Sequence, residues 1–344
     1  MYGWLQLRVG INPAKAGLPA YTPQRLGVAL IVYIPVLEGY FQNSLEIFRY
    51  QLASLRSATG QGFDLLVFNN GSCPEASAAL EALYQDGQID WLIQSAHNLG
   101  KAGAWNWIFA AMPNELICYA DSDVLFRPGW LEASLEVLDA FPQAGMIAAQ
   151  PNFFDVLEGA GTAHLRLAAQ DGYSLDEYLP AKEIIDEYCF GIGASEETAR
   201  PFYQKPLPAI SNHAKNVQAV IGASHMQFLI PREAARQVVP LPAAHALLRR
   251  ETMSLDYKID QSGYLHLSTL KPYVFHMGNT INDRLLNEVR SITGGHIQPE
   301  GGKAQKNTAQ SGVRRFMASL ARRPRFNRLF RRLYNLLFQA LNSE

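Results

Sequence analysis

Long apolar runs, a secretory signal and paired cysteines are all missing from this sequence. The longest apolar run, residues 28–37, is about half as long as the roughly 20 residues that a transmembrane helix needs, so we expect no membrane-spanning segment. Residues 1–23 contain no apolar stretch of the length found in signal peptides. The sequence has three cysteines, Cys73, Cys118 and Cys189. Their odd number and the absence of metal-ligand spacing favour a reducing compartment.

An excess of charge of one sign is also missing. The 30 Lys and Arg residues and the 31 Asp and Glu residues leave a formal net charge of −1, which argues against affinity of the whole protein for nucleic acid. Hydrophobic residues make up 48% of the chain, enough for a sizeable core, and this composition excludes a disordered protein. The 344 residues suffice for one large α/β domain with extensions or for two small domains.

Strand and helix patterns alternate through the first 150 residues. The predicted strands are 28–35, 63–68, 91–94, 116–120 and 145–150, and the predicted helices are 43–55, 75–84, 102–112 and 130–141. The first strand is continuously apolar, as in parallel sheets that are covered on both faces. This alternation predicts an α/β fold with a mainly parallel sheet and helices on both of its faces.

The pattern loosens after residue 150. Residues 151–219 mix acidic and aromatic residues with Gly and Pro, and we predict an elaboration over the ligand-binding edge of the sheet. Further strands are predicted at 220–231 and 272–277, and further helices at 231–238 and 253–262. Residues 294–312 are rich in Gly, Gln, Lys and Asn, which predicts a flexible linker.

Asp121-Ser122-Asp123 follows directly after the apolar run 116–120. The carboxyl ends of strands in an open α/β sheet are where ligands gather. In extended backbone two residues that are two positions apart share a side, so both carboxylates can approach one hard cation. A single D-x-D is a weak signal, and the surrounding motifs decide its interpretation.

Three other segments carry polar or small residues at predicted strand ends. Residues 69–72 (Asn-Asn-Gly-Ser) suit either a plain turn or a contact with a nucleotide. Residues 98–106 open a helix with small side chains, which either pack helix on sheet or let the backbone approach a diphosphate, with Lys101 as an added charge. His276 ends the apolar part of the segment 272–279; a lone histidine there is usually structural, but beside a D-x-D it is a candidate third metal ligand.

Together these motifs resemble the family-2-like glycosyltransferases of the GT-A fold, over residues 25–283. The family's second strand ends in D-N-G-S or D-D-G-S, which residues 69–72 match with Asn69 in place of the acid. The other matches follow in the family's order: N-x-G-x-x-x-A-x-N at Asn98, Gly100, Ala104 and Asn106, D-x-D at Asp121 and Asp123 followed by Pro128-Gly129-Trp130-Leu131, and H-x-G-N at His276, Gly278 and Asn279.

The resemblance implies transfer of a sugar from a nucleotide-diphosphate donor to an acceptor hydroxyl, with inversion as the default outcome. It implies these donor contacts: Pro35, Asn69, Asn98, Gly100, Lys101 and Asp121. It implies that Asp121, Asp123 and His276 hold Mn²⁺ or Mg²⁺. Such a metal acts as a Lewis acid for the leaving group.

The acceptor side needs a general base. The family's acidic E-D pair appears as Glu251-Thr252, ahead of Gly263-Tyr264, and the spacing from Gly263 favours Glu251 as that base. Asp256, about one helical turn further on, is the alternative. Acids on a helix are ordinarily part of a solvated face, so both assignments are open.

Residues 313–341 carry eight arginines and no acid, with apolar residues at helical spacing from Phe326 onward. A basic amphipathic helix of this kind binds an anionic membrane surface. The alternatives are a helix docked on the protein's own acidic surface and, less expected, nucleic-acid binding. We therefore expect a cytoplasmic protein, peripheral at the inner face of the cell membrane, with a glycan or lipid-linked acceptor.

The predicted organisation is an N-terminal extension (1–24), a glycosyltransferase domain (25–293) in which 151–219 face the acceptor, a linker (294–312) and the basic helix (313–344). One competing hypothesis is a catalytically silent protein of the same fold that binds a nucleotide sugar or a glycan. Its support is Asn69 in place of an acid and the altered E-D pair. Another is a nucleotidyltransferase, but residues 36–40 lack the cation such an enzyme needs after the first strand.

Overall fold

The structure, a computed structural model, describes residues 21–153, 161–194, 196–242 and 248–295, together with Gly10 and Asn12. All of these residues belong to the first of two units into which the chain divides, Met1–Gln298. The predicted helix at 313–344 and nearly all of the predicted linker at 294–312 lie outside the described residues.

The strands of the described residues are β1 Leu26–Val32, β2 Phe63–Asn70, β3 Trp91–Ser95, β4 Leu116–Asp121, β5 Val124–Phe126, β6 Ala144–Ala148, β7 Tyr173–Tyr178, β8 Leu207–Asn212, β9 Val217–Ile221, β10 Gln227–Pro231, β11 Leu265–Ser268 and β12 Val274–His276. The helices are α1 Ser44–Ala58, α2 Pro74–Gln85, α3 Gly100–Ala111, α4 Trp130–Ala140, α5 Ala163–Ala168, α6 Lys182–Gly191, α7 Glu196–Ala199, α8 Arg232–Val238, α9 Leu248–Gln261 and α10 Asp283–Thr293, with 3-10 turns at Gly39–Phe41 and Arg200–Phe202.

Ten strands form one sheet in the order β3-β2-β1-β4-β10-β6-β11-β9-β8-β7. β1 is parallel to β2 and β4, and β2 is parallel to β3. β10 runs antiparallel to both of its neighbours, β4 and β6, whereas β11 is parallel to β6. β9, β8 and β7 follow with alternating direction. Only β7, β9 and β10 therefore oppose the other strands of this sheet, which confirms a mainly parallel sheet.

Helices cover both faces of the sheet. Every residue of β1 is buried, and successive side chains point to opposite faces: Val28, Leu30 and Val32 belong to one hydrophobic cluster, whereas Ala29 and Ile31 belong to another. Helices α1, α2 and α4 contribute to the first cluster, and α3, α8 and α9 contribute to the second. This two-sided burial explains why the early strands are continuously apolar, and it confirms the predicted layers.

Residues 151–231 differ from the prediction in two respects. The single strand predicted at 220–231 is wrong, because residues 222–226 separate β9 from β10 and Gly222 has a φ of 113°. The stretch predicted as a loose elaboration contains regular structure: β7, β8 and β9 extend the sheet at the end opposite to β3.

Within the described ranges, no helix combines the length and the apolar character that crossing a bilayer requires.

A second, two-stranded sheet lies next to the D-x-D segment. β5 begins directly after Asp123 and pairs antiparallel with β12, which places Val124 opposite His276. This two-stranded sheet packs on α1 and α10 through a small apolar cluster that includes Leu125, Phe275 and Leu285. The sheet thereby joins the D-x-D segment to the late H-x-G-N segment.

Candidate functional site

The predicted site residues of β2 and β4 meet at the carboxyl edge of the parallel strands. Val32, the last residue of β1, pairs with Asn69 of β2, and Ile31 pairs with Asp121 of β4. β3 ends beside β2 in the same register. Ligands of open α/β sheets bind at this edge, so the fold brings these segments together where the sequence predicts a site.

Asn69 holds the turn at residues 69–72. Its side chain is buried, and its Nδ2 donates to Ser77 Oγ at 2.8 Å and to Gln94 Oε1 at 3.3 Å. Its Oδ1 accepts the backbone N–H of Ser72 at 3.1 Å. The side-chain amide of Asn69 is therefore engaged in hydrogen bonds within the protein. A contact between Asn69 and a donor stays a prediction.

Asn70 links the end of β2 to the start of α3. Its Nδ2 donates to Asn98 Oδ1 at 3.1 Å and to the carbonyl oxygen of Gly100 at 3.3 Å, and its Oδ1 accepts the N–H of Leu99 at 2.8 Å. Asn98 Oδ1 also accepts the N–H of Gly100 at 2.8 Å. The sequence named Asn70 only as part of the motif at 69–72; its contacts with Asn98, Leu99 and Gly100 show that it holds the start of α3 at the sheet edge.

Gly71 allows the two loops to approach each other. Its φ is +81°, and a Cβ at this position would lie 2.7 Å from the backbone nitrogen of Asn98 and 2.7 Å from the carbonyl carbon of His97. No larger residue fits there without displacing the loop that begins α3. The glycine of this motif is therefore required both by the backbone conformation and by the close approach.

Pro35 lies beside the same turn. The backbone N–H of Ile34 donates to Ser72 Oγ at 3.0 Å, and the carbonyl oxygen of Ile34 accepts the N–H of Cys73 at 2.8 Å. Pro35 itself is half-buried. The end of β1 and the turn after β2 therefore form one connected surface that includes the predicted donor contact at Pro35.

Asp121 is paired with a protein cation. Lys101 Nζ lies 2.7 Å from its carboxylate, and the hydroxyl of Tyr119 donates to the same group. Lys101 Nζ also donates to the carbonyl oxygen of His225 at 3.4 Å. The backbone N–H of Asp121 donates to the carbonyl oxygen of Met226 at 2.8 Å. Lys101 thus offsets the charge of Asp121 and joins it to the segment before β10.

Asp123 and His276 face each other at one end of the β5–β12 sheet. The distance between Asp123 Oδ2 and His276 Nε2 is 3.5 Å, and the N–H of Met277 donates to the carbonyl oxygen of Asp123 at 2.8 Å. His276 Nδ1 lies 2.8 Å from the carbonyl oxygen of Gly191 at the end of α6. A carbonyl only accepts, so Nδ1 carries a proton, and Nε2 is turned toward a carboxylate oxygen.

With the ring in its neutral form, the lone pair of Nε2 and the carboxylate oxygen of Asp123 can both bind one cation. Histidines that bind metals commonly donate their other ring N–H to a backbone carbonyl, as His276 does to Gly191. The pKa of Asp123 is raised above its ordinary value by burial, and the negative charge of Asp121 raises it further, whereas His276 opposes the rise. Among the described residues no cluster of three or more His, Cys, Asp or Glu forms a complete metal site.

The carbonyl of Gly191 is held in place by an ion-pair network that the sequence did not reveal. Arg127, one residue after β5, contacts Glu187 of α6 at 2.7 Å and Glu288 of α10 at 2.6 Å. The network fixes α6 against the β5–β12 sheet that carries His276. No motif marks these residues, because their partners are distant along the chain.

Helix α9 contains both residues that the sequence proposes as the base. The side chain of Glu251 lies outside the described residues. Asp256 is 6% exposed, and its Oδ1 lies 2.8 Å from His225 Nε2 and 3.5 Å from His266 Nε2. His225 was not expected at the site, since the sequence around it matches none of the motifs.

A pocket opens beside His276. Its lining is largely apolar and aromatic, and it includes Gln150, Phe153, Tyr188, Pro272, Phe275 and His276. Tyr188 belongs to α6, and Phe153 ends the described part of the loop after β6. Residues from within the stretch 151–219 therefore line the surface next to the predicted metal ligand.

Residues 41–193 match the family model described as Glycosyl transferase family 2. The matched range includes the turn at 69–72, the segment 98–106 and the D-x-D, and it ends before His225, Asp256 and His276. A comparison with the curated proteins finds no matching sequence.

Similarity to solved structures is low. The mannosyltransferase PcManGT from Pyrobaculum calidifontis, in complex with GDP-Man and Mn²⁺, is 13% identical with a TM-score of 0.44, covering 74% of this chain and 56% of that one. S. aureus TarS 1–349 is 13% identical with a TM-score of 0.41, covering 80% and 66%. GalNAc-T7 with UDP, GalNAc and Mn²⁺ is 11% identical with a TM-score of 0.45, covering 75% and 44%. This chain spans less than two thirds of the length of each.

Proposed function

The chain is a family-2-like glycosyltransferase of the GT-A fold, and from this premise we propose that it moves a sugar from a nucleotide-diphosphate donor to an acceptor hydroxyl with the help of a divalent cation. The observation that carries the proposal is the pair formed by Asp123 and His276 at the ligand-binding edge of the sheet. The orientation of His276 by Gly191 supports Nε2 as a metal ligand rather than a structural contact.

Asp123 and His276 would hold Mn²⁺ or Mg²⁺. When bound, the cation would supply positive charge to the diphosphate leaving group. Two protein ligands are sufficient, because Mg²⁺ sites commonly use one or two carboxylates together with substrate phosphates. Asp121 is the third ligand named by the resemblance; its pairing with Lys101 supports a weaker role toward the metal and a role in keeping Lys101 at the donor edge.

The donor would lie over the surface formed by Pro35, Asn98 and Gly100. Asn70 fixes the loop that begins α3, so the backbone at the start of this helix is presented to the sheet edge without reorganisation. A helix N-terminus favours the negative charge of a diphosphate. Lys101 at the first turn adds a cation that is already oriented by Asp121.

The acceptor hydroxyl would attack from the side of α9. Glu251 and Asp256 are the candidates for the base, and a single displacement with inversion is the simplest outcome. The pocket beside His276, lined by Phe153 and Tyr188, supports residues 151–219 as the acceptor-facing part of the domain at 25–293. Aromatic walls suit the apolar faces of sugar rings or a lipid carrier.

The basic segment 313–344, joined through the linker at 294–312, would attach the enzyme to the anionic inner face of the cell membrane. Its arginines and interleaved apolar residues support that assignment. A peripheral, cytoplasmic enzyme is well placed to act on a lipid-linked or surface-glycan acceptor. Residues 1–24 precede the domain as an extension.

A thermal-shift panel of UDP-, GDP- and dTDP-sugars, each with and without Mn²⁺, tests the proposal. A donor at about 50 times its Kd stabilises the protein by roughly 2 kcal/mol. We expect one base to give a metal-dependent shift that Asp123→Ala abolishes without unfolding the protein. The absence of any shift for every donor would overturn the proposal. Binding without turnover of the donor would instead support a silent binding protein, which the burial of Asp256 also favours.

A further inference from the structure

His225 and Asp256 form a histidine–carboxylate pair next to the donor edge. His225 Nε2 lies 2.8 Å from Asp256 Oδ1. The side chain of Asp256 is 8% exposed and that of His225 is 25% exposed. The carboxylate therefore lies beneath the histidine, and the imidazole is the member of the pair that reaches solvent.

The backbone around His225 is joined to the D-x-D segment on one side. Lys101 Nζ donates both to the Asp121 carboxylate and to the carbonyl oxygen of His225. The carbonyl of the next residue, Met226, accepts the N–H of Asp121 at 2.8 Å. These contacts place His225 at the same sheet edge as the predicted diphosphate site, although it comes from the segment before an antiparallel strand.

The pairing with Asp256 also decides which ring nitrogen of His225 carries the proton. An ionised carboxylate only accepts hydrogen bonds, so Nε2 carries the proton that it shares with Asp256. In the neutral ring Nδ1 then keeps its lone pair. Within the part of the chain that the structure describes, Nδ1 has no hydrogen-bond partner. A neutral imidazole oriented in this way is the common arrangement of a general base.

We propose that His225 is the general base of the glycosyl transfer and that Asp256 is its positioning residue; this inference rests on the function proposed above. Nδ1 takes the proton of the attacking hydroxyl group, and the oxygen of that hydroxyl group bonds to the anomeric carbon of the donor sugar. The bond from that carbon to the diphosphate oxygen breaks, and its electron pair leaves with the nucleoside diphosphate. The imidazolium is stabilised by Asp256 and returns its proton to water.

Assigning the base to His225 agrees with the residues found at positions 252 and 256. Thr252 occupies the second position of the family's acidic pair, where it has no carboxylate to offer, and Asp256 is too deeply buried to reach an acceptor directly. Two further titratable groups lie close to the pair: His266 on β11, 3.5 Å from Asp256, and Lys101 on α3, which donates to the backbone carbonyl of His225. The imidazole of His225 combines solvent access with a buried carboxylate partner.

The test uses hydrolysis of the donor that the thermal-shift panel identifies, with water in place of the unknown acceptor. The full-length protein and the variants His225→Gln, Asp256→Asn and Glu251→Gln are compared from pH 5 to pH 9 with saturating Mn²⁺. We expect His225→Gln to lower kcat by roughly 10²-fold or more and to remove the acidic limb of the pH profile. Asp256→Asn should lower kcat less and move that limb to lower pH, because the imidazolium loses its carboxylate.

Measuring donor binding distinguishes a failure of this inference from a failure of the proposed function. All three variants should bind the donor with Mn²⁺ as the parent does, because none of them supplies a predicted donor or metal contact. A loss of rate in Glu251→Gln that His225→Gln does not show would assign the base to Glu251 and overturn this inference. An unchanged rate and pH profile in His225→Gln would overturn the assignment while leaving glycosyl transfer intact. Absence of donor binding in the parent protein would overturn the proposed function and this inference together.

Chemical rescue with imidazole distinguishes a catalytic role of His225 from a purely structural one. His225→Ala leaves space at the position of the ring, and added imidazole should restore part of the hydrolysis rate as the concentration of its neutral form rises. His213→Ala, at an exposed position between β8 and β9, is the matched control and should respond to imidazole no more than the parent does. Failure of imidazole to restore a rate that His225→Ala has lost would contradict a role as base.

Discussion

The ring of His276 is oriented by Gly191: Nδ1 lies 2.8 Å from the glycine carbonyl, and this contact turns Nε2 toward Asp123. Gly191 is the last residue of α6, and a Cβ there would lie 3.1 Å from both Cβ and the carbonyl oxygen of His276. The position and the tautomer of a candidate metal ligand are therefore set by the end of a helix from a distant part of the chain.

The first prediction concerns His276. We expect His276→Ala to weaken Mn²⁺ binding in the presence of donor by at least about tenfold, because one of two protein ligands is lost. Isothermal titration with Mn²⁺ at a fixed donor concentration measures the effect. His213→Ala should leave the affinity unchanged. Equal Mn²⁺ affinity in His276→Ala and the parent would remove His276 from the metal site.

The second prediction concerns the ion pair of Lys101 and Asp121, whose side chains are 20% and 22% exposed. In Lys101→Met the carboxylates of Asp121 and Asp123 lose their nearby cation, so we expect the free energy of unfolding without metal to fall by about 1–2 kcal/mol. Mn²⁺ should then stabilise the variant more than it stabilises the parent, since it takes over that compensation. Urea titrations with and without Mn²⁺ measure both effects.

The exposed ion pair of Lys215 and Asp139 offers a matched control for this change. Lys215→Met removes the same charge from a solvated pair, so its free energy of unfolding should stay within about 0.5 kcal/mol of the parent value. If both lysine variants lose the same stability, or if Mn²⁺ affects them equally, the charge of Lys101 has no special relation to the D-x-D segment.

The third prediction concerns Gly71, and Gly87 provides the comparison. Both have positive φ, +81° and +70°, but a Cβ at Gly87 would have no atom within 4 Å. Gly87→Ala should therefore lose about 1 kcal/mol, which is the cost of the backbone conformation alone. Gly71→Ala should lose about 2 kcal/mol or more, because its Cβ also displaces the loop at His97 and Asn98.

Donor affinity separates the two glycines further. Gly71→Ala moves the loop that begins α3, so its Kd for the donor should rise, whereas Gly87→Ala should bind as the parent does. Chemical denaturation and titration with the donor give the two measurements. Equal losses of stability and of affinity in both variants would show that the close approach at Gly71 has no effect on the site.

The fourth prediction concerns the segment 313–344. A chain that ends at residue 312 should stay in the supernatant after centrifugation with anionic vesicles, whereas the full chain should sediment with them, and high salt should release it. Neutral vesicles are the control. Sedimentation that does not depend on the segment would favour a helix docked on the protein itself.

The sequence predicted the first half of the sheet well, because β1, β2 and β4 are buried on both faces and read as apolar runs, whereas β3 is a half-buried edge strand. The split of 220–231 into β9 and β10 was missed: both halves are apolar, and the break depends on Gly222 and on pairing with different neighbours. The strand β11 and the helix α10 were missed as well. They are short or strongly polar, and tertiary packing rather than local pattern stabilises them.

The candidate site likewise has residues that the sequence could locate and residues that it could not. Asp121, Asp123 and the loop at 98–100 belong to contiguous motifs, so the sequence could locate them, and the fold brings them to one edge. His225 and Gly191 act through contacts with residues far along the chain, and no spacing rule reports such contacts. The burial of Asn69 was also beyond the sequence, because it depends on Ser77 and Gln94 from neighbouring elements.

The pairing of β5 with β12 has a consequence for the order in which the domain is completed during synthesis. Asp123 leaves the ribosome early, but His276 and the N–H of Met277, which complete its surroundings, are among the last residues of the domain to emerge. The donor edge of β1 to β4 can close long before that point. Under the proposed function, a nascent or truncated chain that ends before β12 has a nucleotide surface without its cation site, and sugar transfer waits for the complete domain.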